Sequence, residues 1–63
     1  MCESRLILRN NKKDKMVMDG VARILVKGNN ISCTNFFGEI REFKNVKVTE
    51  ANLLDHRIFI EEV

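Results

Sequence analysis

With 63 residues, 44% of them hydrophobic, the chain has room for one small domain, residues 1–63. A core of that size supplies about 3–5 kcal/mol unless a metal, a disulfide or a second subunit adds to it. The net charge of +2 comes from 11 Lys and Arg interspersed with 9 Asp and Glu, which describes a solvated surface and argues against the basic stripe of a strong nucleic-acid binder. No apolar run approaches the roughly 18 residues of a membrane span. The polar start lacks a secretory apolar stretch, so the chain is expected in the cytoplasm with its thiols reduced.

The chain opens Met1-Cys2-Glu3, which places a thiol one residue from a terminal amine. The amine of Met1, the amide nitrogen of Cys2 and the Cys2 sulfur follow one another at five-membered-ring spacing, so a metal able to displace the amide proton can take all three in one plane. Ni(II) and Cu(II) favour square-planar nitrogen and sulfur donors, whereas Zn(II) prefers a tetrahedron and Mg(II) or Ca(II) prefer oxygen. Met1 and Cys2 are therefore the candidate metal ligands. If Met1 is trimmed, the set becomes amine plus thiolate. The plainer reading is a solvated thiol at a frayed terminus.

Beyond the terminus the apolar period is two. Leu6 and Leu8 alternate with Arg5, Ile7 and Arg9; Met16 and Met18 flank Val17; Ala22, Ile24 and Val26 alternate with Arg23, Leu25 and Lys27. Each run predicts a strand. Turn residues punctuate them at Asn10-Asn11-Lys12-Lys13-Asp14, Asp19-Gly20, Gly28-Asn29-Asn30 and Gly38. Further strands are expected over residues 31–37, 39–43, around Val46 and Val48, and over 57–61. Residues 49–55 could make a single helical turn but are too short for a helix and read as a turn before the last strand. The fold class is all-β: a small, strongly curved antiparallel sheet or partly closed barrel of the SH3-like or Sm-like kind, since closure hides short edge strands.

Strand parity puts Cys2, Ser4, Leu6 and Leu8 on one face and Glu3, Arg5, Ile7 and Arg9 on the other. The face expected to be polar carries Ile7, Val17, Leu25 and Phe59. If neighbouring strands align these residues, they form an apolar belt fit for an interface. In a two-fold dimer a terminus near the axis would bring two copies of Cys2 together.

The remaining chemistry-bearing residues are sparse. Cys33, between Ser32 and Thr34 in a predicted strand, reads as a small core residue. The lone histidine, His56, sits between Asp55 and Arg57, where a structural hydrogen bond is favoured over metal binding. Cys2, Cys33 and His56 lack zinc-finger spacing. No nucleophile–base pair, phosphate loop or paired carboxylates point to an enzyme. Phe36-Phe37 could stack bases, so a small β-barrel RNA-binding module is the alternative, with Lys12, Lys13 and Lys15 as phosphate contacts.

Several segments together resemble the CooT-type small nickel-binding proteins, accessory proteins of carbon monoxide dehydrogenase maturation. They are Met1-Cys2, a first strand ending at Leu8, Asp19-Gly20-Val21 leading into Ile24, Ile31 through Phe36-Phe37-Gly38-Glu39, and Leu54-Asp55-His56-Arg57-Ile58 with Glu61. The resemblance implies a cytoplasmic all-β homodimer that binds one nickel ion at paired N-termini through Cys2, with Met1 supplying only its amine. It also implies a nickel-enzyme client, carbon monoxide dehydrogenase being the model case. Cys33 and the Lys12-Lys13 turn lie outside the family's functional pattern.

Overall fold

A computed structural model describes residues 4–11 and 13–63. The ligand expectations at Met1 and Cys2, and Lys12 of the basic turn, lie outside the described residues. The period of two becomes strands β1 (Ser4–Arg9), β2 (Asp14–Lys27), β3 (Asn30–Asn35), β4 (Ile40–Phe43), β5 (Val46–Asn52) and β6 (Arg57–Glu62). They form one six-stranded sheet in the order β4-β3-β2-β1-β6-β5.

The curvature comes from β2. The turn expected at Asp19-Gly20 is instead a bulge within a continuous 14-residue strand. Gly20 adopts φ +63, a left-handed value that glycine takes without strain, and the Asp19 carboxylate accepts its N–H at 2.9 Å. Up to Val21 the strand pairs with β1; from Val21 onward it pairs with β3, with register shifts beside the change-over. The sheet therefore bends back on itself until the Val46 N–H donates to the Asn29 carbonyl at 2.8 Å. It stays open, with β4 and β5 as its edges.

The sheet is also mixed. Antiparallel pairing holds elsewhere, but β1 and β6 run parallel, from Arg5 opposite Arg57 to Leu8 opposite Ile60. A parallel pair needs a long crossover, and here residues between the two strands provide it. Apolar alternation reports that a residue is in a strand and says nothing of the neighbour's direction.

Leu6, Met18, Val21, Ile31, Cys33, Val46 and Ile60 make the core, with Leu8, Val17, Ile24, Phe43 and Ile58 packed against it. Burying each large aliphatic side chain contributes about 1.5–3 kcal/mol. The expected outer belt is broken. Leu6 faces Met18 and Ile7 faces Met16, so Val17 is the extra residue of a bulge, and it packs against the core. Leu25 lies on the far half of β2, opposite Ser32. Phe59 does adjoin Ile7 but is only 7% exposed: the Arg9 guanidinium lies 4.0 Å from its ring centroid, and Glu50 accepts from Arg9 at 3.3 Å.

Two strand ends differ from expectation by more than one residue. β3 stops at Asn35 instead of running to Phe37, and β5 extends to Asn52, leaving the turn to residues 53–56.

Candidate functional site

The described residue nearest in sequence to the candidate ligands is Ser4, where β1 begins. Ser4 is half-buried and pairs with Val21, so the strand's start lies beside the β2 bulge. On its other side the Arg5 N–H donates to the His56 carbonyl at 2.8 Å, which ties β1 to the β5–β6 turn. That turn is internally braced. The Asp55 N–H donates to Asn52 Oδ1 at 3.1 Å, Asn52 Nδ2 donates to Asp55 Oδ2 at 3.2 Å, and His56 closes it at φ +55. A groove of about 270 Å³ lined by Ser4, Val21, Ala22, Arg23, Ile24 and Ile58 opens at the same place.

Cys33 stands at the centre of β3, between Ile24 and Arg41, with no solvent exposure. Burial pushes its thiol pKa up, with Arg41 opposing in part. A metal needs the thiolate, so this sulfur is packing material, as the sequence suggested. His56 joins the turn to β1 through its backbone carbonyl, a contact any residue could supply. Among the described residues no group of three or more His, Cys, Asp or Glu is placed to hold a metal.

The aromatic pair occupies a different loop. Asn35, expected within a strand, is buried and organises that loop: its Oδ1 accepts the N–H groups of Phe37 at 3.0 Å and Glu39 at 2.9 Å, and its Nδ2 donates to Glu39 at 2.6 Å. The spacing of Asn35 to Gly38, two turn-forming residues, was the available signal. The loop leaves Phe37 84% exposed over a groove of about 590 Å³ that includes Asp19 and Glu39. Arg41 lines the same groove, so two carboxylates face one guanidinium, a balance that does not favour phosphate binding. Among the described residues no helix is long and apolar enough to cross a membrane.

Comparison with known proteins gives a family and a fold. The family model described as CO dehydrogenase accessory protein CooT matches residues 1–61. The crystal structure of a candidate CooT from Carboxydothermus hydrogenoformans superposes with a TM-score of 0.89 at 24% identity, with 98% of each chain covered. At that identity the likeness speaks for the curved open sheet. A search of curated proteins gives no significant match. Because the family match runs from the Met1-Cys2 start into the last strand, the chain belongs to the CooT family of CO dehydrogenase accessory proteins.

Proposed function

We propose that this accessory protein carries Ni(II) as cargo for the maturation of a nickel enzyme such as carbon monoxide dehydrogenase, held by the Cys2 thiolate and N-terminal nitrogens. The observation that carries this reading is the withdrawal of Cys33 into the core. Of the chain's two cysteines, Cys33 is fully buried with a raised pKa, which leaves Cys2 as the soft ligand. Its spacing from the Met1 amine suits a square-planar nitrogen and sulfur set.

The site works as a shared one. In a cytoplasmic homodimer, one terminus supplies amine, amide and thiolate while the partner supplies a second thiolate, or each contributes an amine and a thiolate. The contact between copies fits the flank of β2 beyond Val21. There the strand has β3 on one side, and Leu25 and Val26 are 39% and 59% exposed; an apolar strand edge of this kind seeks a partner. Ligands supplied by chain termini exchange more readily than those of a closed cage, so a client can take the ion by substitution, and the protein performs no catalysis of its own.

Calorimetry and ultraviolet absorption test the reading. Cys2→Ser should lose nickel binding and the sulfur-to-metal band while keeping its circular dichroism spectrum, and Cys33→Ser should keep both. Because thiolate and amide must each lose a proton, affinity should climb between about pH 6 and 8, below the free thiol's pKa near 8.5. Unchanged nickel affinity in Cys2→Ser would overturn the assignment.

A further inference from the structure

The β5–β6 turn carries two of the barest apolar side chains among the described residues. Leu53 and Leu54 are 74% and 92% exposed, and adjacent leucines left so bare gain nothing for folding. They are not loosely held. The Asn52–Asp55 bonds, the left-handed His56 and the Arg5-to-His56 hydrogen bond brace the turn from both ends, so little freedom remains to be lost on binding.

The charges flanking the turn are mainly positive, with Asp55 the exception. Arg5 and Arg57 are exposed and stand directly opposite each other on β1 and β6, an arrangement that costs stability. Arg23 borders the neighbouring groove. Among the described residues the ion pair formed is Arg9–Glu50, so none of these three arginines is neutralised there. Asp55, the acidic side chain of the turn, accepts from Asn52.

We propose that this turn is the docking knob for the client enzyme: Leu53 and Leu54 enter an apolar socket on carbon monoxide dehydrogenase, and carboxylates on the socket's rim meet Arg5, Arg57 and Arg23. The idea rests on the accessory role proposed above and names the surface that serves it. Charge complementarity selects the occupant. A second copy docking through the same turn would set Arg5 and Arg57 against their own counterparts, whereas an acidic rim neutralises them. The placement suits delivery, because the Arg5–His56 bond ties the knob to the strand that follows the Met1-Cys2 terminus.

The test uses the full-length chain and nickel-free carbon monoxide dehydrogenase from the same organism in biolayer interferometry. Leu53→Ser/Leu54→Ser should weaken binding at least 10-fold. Arg5→Glu/Arg57→Glu should slow association about 10-fold, and wild-type affinity should fall as salt rises. Nickel affinity, measured separately by calorimetry, should be unchanged in both variants. Loss of nickel binding in the wild type with docking retained would remove the cargo and leave the knob standing. Equal enzyme affinity in the leucine variant, absence of wild-type binding, or a halved sedimentation mass in that variant would overturn the proposal.

Discussion

The β3–β4 loop and the β5–β6 turn are built by the same device at different depths. In each, an asparagine at the end of a strand folds its side chain back onto the following backbone, an Asx-type bond that replaces the lost ladder. Asn35 does this while 7% exposed, satisfying the N–H groups of Phe37 and Glu39 beside the core. Asn52 does it at the surface, on the exposed Asp55. Buried, the device maintains the fold; exposed, it only shapes a projection. The charges divide the same way, since Glu39 is tied to Asn35 while Arg5 and Arg57 beside the other turn carry no ion pair among the described residues.

The sharpest way to break this comparison is Asn35→Ala. It strands two N–H groups near the core and should cost about 1–3 kcal/mol. In a domain this small each kcal/mol lowers the melting temperature by roughly 4–8 °C. A thermal melt within 2 °C of wild type would show, by that same conversion, that the loop is held by something other than Asn35.

Cys33→Ser probes the same side two residues earlier. A hydroxyl in a fully buried site should cost about 1–2 kcal/mol. The thiol adds a pH signature. Its pKa is raised in the fold above that of a free thiol, so the unfolded chain releases the proton first. The stability this gives is full below the free thiol's pKa and is lost as pH rises above it. Wild type should therefore lose stability relative to Cys33→Ser in alkaline denaturant titrations, and the gap between them should narrow; a constant gap from pH 7 to 10 would contradict the buried thiol.

Gly20→Ala comes next. An added Cβ would sit 3.3 Å from Phe36 Cδ2 at φ +63, and the strain should cost about 1 kcal/mol in urea unfolding, with no effect on nickel binding. The smallest change is expected from Asn52→Ala, about 0.5 kcal/mol, because water replaces its bonds at the surface. Hydrogen exchange should show faster amides at Asp55 and unaltered core protection. If Asn52→Ala proves as costly as Asn35→Ala, burial is not what separates the two turns.

Asn52 fell within the turn expected over residues 49–55, whereas Asn35 was expected inside a strand, and their ranking was not legible because rank depends on what packs over each one. Cys33 was legible as core from its place between Ser32 and Thr34 in an alternating run, and the burial of Leu6 and the half-burial of Leu8 followed from parity. The apolar belt failed for a specific reason. Parity counting assumes unbroken register, and one extra residue at Val17 moves a side chain from one face to the other. Phe59 looked exposed because its cover, the Arg9 guanidinium, comes from a neighbouring strand far away in sequence.

The sequence by itself determined that the chain is all-β, where its apolar residues alternate, and that a thiol follows one residue after Met1, since each of these is a property of residues close together in the chain. Tertiary structure decided the parallel pairing of β1 with β6, the bend of β2 at Gly20 and the meeting of Arg5 with Arg57 beside two bare leucines. Those features depend on which distant segments become neighbours, and that is settled by packing the two halves of a bent sheet around one core.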